Sequence, residues 1–353
     1  MAGDTSKRVA RFLWTIAAVL ATATAPEANP MEDRLRAAFA AGELEGLHAL
    51  HVTQHGEVIA DVYFDGVDEH WGTPLGHRTF GPDELHDLRS VTKSVVGLLY
   101  GIALDEGVVP PPEAPLYAQF PEYPDFADDP AYAPIRIEHA LTMSLGTEWR
   151  EDLPYTDPEN SEIAMERAAD RYAYVLSRPV VRPPGEVWTY NGGATALLAR
   201  LIEKGSGQTI EAFAAERLFA PLGITEWDWA AGADGVPAAA SGLRLTARDL
   251  AKIGQLVLDG GSHDGRQILP AAWLDASFAP KLSLGELSYG YQWYLAPYFV
   301  AGFGNGGQRL SVNRSAGLVL VLYAGRYNDF DAWQLAVKIS TEFLAPYLND
   351  RAK

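Results

Sequence analysis

Cysteine is absent from the 353-residue chain. That excludes disulfides, thiolate metal sites, a cysteine nucleophile and a lipid-modified N-terminal cysteine. Basic residues are scarce: 28 Lys+Arg stand against 46 Asp+Glu, for a net charge of −18. A balance this negative argues against nucleic-acid or anionic-membrane partners, which require a basic face. No apolar run reaches the ~20 residues needed to span a bilayer. Low-complexity runs are few, and nine Trp with sixteen Tyr set the chain apart from disordered sequences. What is present is ordinary for a globular protein, with 48% hydrophobic and 21% charged residues. At roughly 100–200 residues per domain there is chain for one large core or two lobes.

The first 25 residues follow their own pattern. Lys7, Arg8 and Arg11 precede an apolar run over residues 12–20, and Ala21-Thr22-Ala23 and Ala23-Thr24-Ala25 each match a small-residue cleavage pattern. A basic stretch, a short apolar stretch and a small-residue exit mark a secretory signal peptide. The expectation is an exported protein, periplasmic or extracellular, with a signal peptide over residues 1–25. Losing three basic and one acidic residue would take the mature chain from −18 to −20.

Beyond it, hydrophobic periodicity predicts a short helix over residues 31–41, with Leu35, Ala38 and Phe39 on one face. Two β-rich runs, 47–53 and 58–64, flank His55-Gly56 and predict a hairpin. Residues 91–109 are almost wholly apolar and predict a buried helix. Eight of the chain's 23 prolines fall within residues 110–134, which marks a loop. Helical character returns at 137–143, 161–177, 193–204 (closed by Gly205), 209–218 and 246–258. Residues 187–190, after Pro183-Pro184-Gly185, read as a short strand. Toward the C-terminus 291–295, 308–312 and 317–323 read as strands. A last helix over about 329–348 puts Phe330, Trp333, Val337 and Leu344 on one face. Strands at both ends around a helical middle predict an α+β fold. In it, residues 26–109 and 285–353 form a sheet lobe flanked by helices, and 110–284 form an inserted, mainly helical lobe.

The sharpest chemical signal is Ser90-Val91-Thr92-Lys93, at the start of the predicted buried helix. Residues three apart share a helical face, about 5–6 Å apart at Cβ. A serine hydroxyl needs a base to become a nucleophile. A lysine can be that base if its pKa is depressed, and the apolar neighbours Val91, Val95, Val96, Leu98 and Leu99 predict such a depression. The N-terminus of a helix also offers amides and a positive dipole end suited to an oxyanion. A second signal is Tyr190-Asn191-Gly192-Gly193, about 100 residues downstream, since a tyrosine beside a lysine can relay a proton. A third is Gly304-Asn305-Gly306-Gly307-Gln308, where glycines let backbone approach a ligand.

Ser-x-x-Lys, a Tyr motif and a Gly-containing strand, in that order, resemble the serine β-lactamase and penicillin-binding superfamily. Within it, the chain looks like the class C β-lactamase, D-aminopeptidase/esterase and 6-aminohexanoate-dimer hydrolase branch. Leu88-Arg89-Ser90-Val91-Thr92-Lys93-Ser94, Leu141–Trp149, Pro183–Asn191 and Tyr289-Gly290-Tyr291-Gln292-Trp293 extend the resemblance over about residues 40–345. It implies a β-lactamase-like antiparallel sheet flanked by helices. It further implies Ser90 as nucleophile, Lys93 as general base, Tyr190 as second acid/base, and the Ser90 and Gln308 amides as oxyanion hole. Asn191, Asn305, Gly306 and Gly307 become candidate substrate-binding residues. Two departures stand out. Gly192 occupies the place of the Asn in Tyr-x-Asn, and Asn305-Gly306-Gly307 replaces Lys-Thr-Gly.

Other patterns carry less. Gly302-Phe303-Gly304-Asn305-Gly306-Gly307 matches a dinucleotide fingerprint but precedes a strand, not a helix. His48, His51 and His55 lie on a predicted hairpin whose alternation puts 48 and 51 on opposite faces. The acidic stretch around residues 125–129 lacks the spacing of an EF-hand. The expected function is therefore a serine hydrolase acting on small esters or amides, needing no metal or organic cofactor. It would have no nucleic-acid partner and no membrane insertion beyond the signal peptide. A D-alanyl-D-alanine carboxypeptidase or β-lactamase is the alternative that export favours and the missing Lys-Thr-Gly disfavours. A non-catalytic sensor or scaffold of the same fold is a further alternative.

Overall fold

The computed structural model describes residues 29–351; the predicted signal peptide lies outside the described residues. The frame is an eight-stranded antiparallel sheet. Its N-terminal hairpin is β1 (Leu47–Gln54) and β2 (Glu57–Tyr63), turning at His55 and Gly56, both at positive φ. The rest comes from the C-terminal part: β3 (Leu282–Leu284), β4 (Leu287–Tyr289), β5 (Tyr294–Leu295), β6 (Val300–Gly304), β7 (Gln308–Asn313) and β8 (Leu318–Ala324). The spatial order is β3-β4-β5-β6-β7-β8-β1-β2, so the first hairpin joins the edge left by the last strand, with Leu50 facing Leu322.

Alternation along β8 divides two cores. Val319, Val321 and Tyr323 face the larger one, while Leu320, Leu322 and Ala324 face a smaller one. The smaller core is closed by helix α1 (Pro30–Ala40), through Met31, Leu35 and Ala38, and by the terminal helical run 333–351. The larger core holds helices α2 (Val91–Asp105), α3 (Gly192–Ser206) and α4 (Ala247–Leu258). Every residue of α2 from Val91 to Ala103 is buried, as expected of a helix apolar on all sides.

Close backbone approaches hold α2 in place. A Cβ on Gly302 of β6 would sit 2.8 Å from Ser94 Oγ, and one on Gly304 would sit 2.5 Å from the Leu88 carbonyl oxygen. These glycines of the apparent dinucleotide fingerprint let the strand lie against the start of α2. Gln292, buried at positive φ, ties the helices together. Its carbonyl accepts from Ser94 Oγ (2.8 Å), its Oε1 accepts from Thr195 Oγ1 of α3 (2.8 Å), and its Nε2 donates to the Ala140 carbonyl (3.0 Å).

Several sequence expectations are corrected. Residues 161–177 form two helices, Ser161–Glu166 and Arg171–Leu176, because Asp170 caps the second with its carboxylate. Residues 187–190 are not a strand: the segment is held by single contacts, such as Thr189 N–H to the Met143 carbonyl (2.8 Å), and pairs with no ladder. Residues 291–293 likewise lie outside β5. The face predicted to bury the last helix is largely solvent-exposed, with Phe330, Trp333 and Val337 outward. Leu344 of that face is buried, and Leu335, Ala336, Ile339 and Phe343 pack inward with it. Gly205 does not end α3, which runs to Ser206 and closes at Gly207 with φ +71°.

Gly205 serves a close contact: a Cβ there would overlap the Val108 carbonyl oxygen. Helix propensity alone favours Ala over Gly by about 0.8–1 kcal/mol. Steric overlap with backbone reverses the sign, so Gly205→Ala is expected to destabilise by about 1–3 kcal/mol. Chemical denaturation checks this; a stabilised variant would contradict the packing described.

Candidate active site

Ser90 caps the N-terminus of α2, and its hydroxyl makes no capping bond. The preceding Arg89 has φ +47°, an uncommon conformation for a side-chain-bearing residue that persists only when neighbours over-determine it. Here they do. The Arg89 guanidinium pairs with Glu69 and with Asp87 (3.0 Å), and stacks over the Tyr327 ring at 4.8 Å. The strained residue and its clamps thus aim the serine.

Lys93, one turn on, is 2% exposed at its side chain. Its Nζ donates to Ser90 Oγ (3.0 Å), the Ala240 carbonyl (3.1 Å) and Glu162 Oε2 (3.3 Å), with Glu151 Oε1 at 3.8 Å. Three acceptors for three N–H bonds is the complete complement of an ammonium. The Nζ also lies 4.7 Å from the centre of the Tyr190 ring. Tyr190 leads into α3 and its hydroxyl faces Ser90 and Lys93. The structure therefore brings Ser90, Lys93 and Tyr190 together. A cavity of about 500 Å³ opens at Ser90, lined also by Trp71, Tyr155, Glu162, Arg167, Ser241 and Asn305.

Asn305 is thus placed on the cavity, where it pairs with Asn328 (2.8 and 3.3 Å). Asn191 caps α3, its Oδ1 accepting from Ala194 N–H (3.0 Å). Gly306 and Gly307 form the β6–β7 turn at positive φ, packed beneath Tyr327 and beside Ala324. Gln308 opens β7 with its side chain pinned to the Ala324 backbone (2.6 and 2.9 Å). Of the histidines, His48 meets His86 inside (2.9 Å) while His51 turns to Asp61 (2.9 Å) on the opposite face.

Among known proteins, the beta-lactamase family model matches residues 31–336. The chain belongs to the beta-lactamase family. It is similar to the 6-aminohexanoate-dimer hydrolase of Paenarthrobacter ureafaciens, at 28% identity over 245 residues, 65% of this chain and 57% of that one. It is also similar to the lovastatin esterase of Penicillium rubens, at 30% identity over 151 residues, 38% of this chain and 34% of the esterase. In both cases the match spans less than two thirds of the curated relative's length. In fold it matches a penicillin-binding protein homologue from Caulobacter crescentus with TM-score 0.63 and 20% identity, covering 86% of this chain and 94% of that one.

Two residues that sequence reading missed, Glu151 and Glu162, set the electrostatics around Lys93. Burial alone would lower the Lys93 pKa, but Glu162, Tyr190 and Glu151 outweigh it and hold the ammonium above the ordinary lysine value. The depressed lysine expected from its apolar neighbours is overturned, because two carboxylates from the 151–162 segment enter that apolar setting. Tyr190 is raised, mainly by burial, with Lys93 opposing. The two carboxyl groups share a hydrogen bond and split. Burial and repulsion from Glu162 push Glu151 up to about 8, whereas Lys93 and hydrogen bonds from Glu151 and Ser241 overcome burial and hold Glu162 below the ordinary glutamate value. Trp149 Nε1 (2.8 Å), Tyr155 Oη (3.0 Å) and the Gly192 amide (2.7 Å) donate to Glu151. The family departure at Gly192 has a physical counterpart: a Cβ there would sit 2.5 Å from Glu162 Oε2. The only sequence signal was Asn160-Ser161-Glu162, which reads as an ordinary capped helix start with its acid in solvent.

A folded-state pKa raised above the unfolded value means that Glu151 stabilises most when protonated in both states. That contribution declines as pH rises from the ordinary glutamate range, about 4.3, to about 8. Glu162 has the opposite sign: its contribution is present above the ordinary range and is lost as pH falls below it. Glu151→Gln is expected to make the decline of Tm between about pH 5 and 8 shallower. An unchanged Tm–pH slope would contradict the protonation assigned to the pair.

Proposed function

We propose that the chain is an exported serine hydrolase that cleaves small carboxylic esters or amides through an acyl-enzyme on Ser90. The observation that carries this reading is the 3.0 Å contact of Lys93 Nζ with Ser90 Oγ, at a cavity and beside Tyr190. Oγ attacks the substrate carbonyl, Lys93 governs the proton that leaves it, and Tyr190 protonates the departing oxygen or nitrogen. The amides of Ser90 and Gln308 hold the oxyanion, each worth roughly 2.7–4 kcal/mol of barrier. Water then releases the acid.

The substrate class rests on three supports. About 500 Å³ is within the range of small-molecule sites. The curated relatives are named as a dimer hydrolase and an esterase. Asn305 stands on the cavity where Lys-Thr-Gly would bring a cation for the carboxylate of a penicillin. Export is supported by the basic, apolar and small-residue pattern of residues 1–25.

The test is intact mass after brief exposure to p-nitrophenyl acetate, a fluorophosphonate probe and penicillin G. An ester or fluorophosphonate adduct is expected on wild type and none on Ser90→Ala, whose ester turnover should fall by more than about 1,000-fold. Turnover surviving in folded Ser90→Ala would overturn the mechanism.

A further inference from the structure

Lys93 in this site is not a ready base. Its Nζ is ringed by Ser90 Oγ, the Ala240 carbonyl and Glu162 Oε2, and the two buried carboxylates beside it, Glu162 and Glu151, favour the ammonium, which has no lone pair to offer the serine proton. Tyr190 is a neutral phenol held so by burial. To accept a proton, Lys93 must first give one up. The group placed to receive it is Glu162 Oε2, at 3.3 Å from Nζ and on a carboxylate whose side chain is 3% exposed. Glu151 is less suited, since its Oε1 stands at 3.8 Å and its Oε2 already accepts from Trp149 and Gly192.

We propose that Glu162 is the proton acceptor that makes Lys93 a base, installed in the space left by the missing side chain of Gly192. The inference rests on the serine-hydrolase reading above and deepens it. In acylation, the Ser90 Oγ–H proton passes to Nζ as one Nζ proton passes to Glu162 Oε2. The Oγ lone pair forms the bond to the acyl carbon, and the carbonyl electron pair moves onto oxygen. On collapse, the bond to the leaving group breaks as that group takes the Tyr190 proton. The proton held on Glu162 returns through Lys93 to Tyr190, so the net step is Ser-OH plus RCO–X giving Ser-O–COR plus HX. Water attack runs the same relay for deacylation. Glu162 acts through Lys93 and is a positioning residue. Gly192 completes the design, since any Cβ would press on Glu162 Oε2 at 2.5 Å.

The decisive readout is the acylation rate of Ser90 against pH, from the burst of p-nitrophenol release and from fluorophosphonate labelling. In wild type the rate is expected to be level through neutral pH and to fall only below the ordinary carboxylate range. A free-amine base would instead give a rate climbing through the lysine range, which would overturn the proposal. Glu162→Gln should acylate about 100-fold or more slowly at pH 7, with a rate that now rises with pH, because Lys93 must lose its proton to solvent. Glu162→Asp, keeping a withdrawn carboxylate, should restore the level profile at a smaller loss. Wild-type rate and profile in folded Glu162→Gln would also overturn it. If Glu162→Gln does not fold, the wild-type profile and Glu162→Asp still decide. Absence of any Ser90 adduct on wild type would instead count against the underlying hydrolase reading.

Discussion

A single buried cation governs this site. An ammonium 2% exposed cannot persist without partners, since an unpaired buried charge costs several kcal/mol even after relaxation. Lys93 has a full set: a hydroxyl, a carbonyl and a carboxylate, each from a different part of the chain. Ser90 belongs to its own helix, Ala240 to the segment before α4, and Glu162 to a short helix after the 151–160 loop. The same contacts that satisfy the charge therefore gather the chain segments around the serine. The cation is thus the point where segments of the larger core meet.

Most of the fold can be understood as what it takes to hold that arrangement still. Gly302 and Gly304 bring β6 against the start of α2, and Gln292 ties α2, α3 and the Ile137–Leu141 helix with hydrogen bonds of 2.8–3.0 Å. Arg89, in a conformation few residues tolerate, is clamped by Glu69, Asp87 and Tyr327. Strain next to Ser90 is sustained by ion pairs and stacking rather than by the local sequence. The carboxyl pair illustrates the same economy: two acids beside one ammonium stay neutral overall by sharing a proton, with one held up and the other held down.

What was legible in advance follows from range. The first hairpin, α1, α2 and α4 were readable because their signals are local: a turn at His55-Gly56, apolar residues at helical spacing, an unbroken apolar run. So was the clustering of Ser90 with Lys93, fixed by helical spacing. The last helix was placed in the wrong phase, because Phe330, Trp333 and Val337 make an apolar stripe as convincing as the one that is buried. Gly205 was mistaken for a stop signal, its purpose being a contact with Val108 almost 100 residues away. Asn191, a candidate substrate ligand, also caps α3 through its Oδ1.

The sequence by itself determined the neighbourhood of Ser90, the alternation that builds the sheet and, through Gly192, a gap in a familiar motif. Each of these is set by spacing along the chain or by the size of one side chain. Only the tertiary structure decided what fills the gap and what charge the lysine carries. Glu162 is 69 residues from Lys93 and reads locally as a solvated acid at a helix start. Its protonation, and that of Lys93 and Glu151, depend on which charges share a dry space. Coulomb interactions act through space, not along the backbone, so no local pattern could report them.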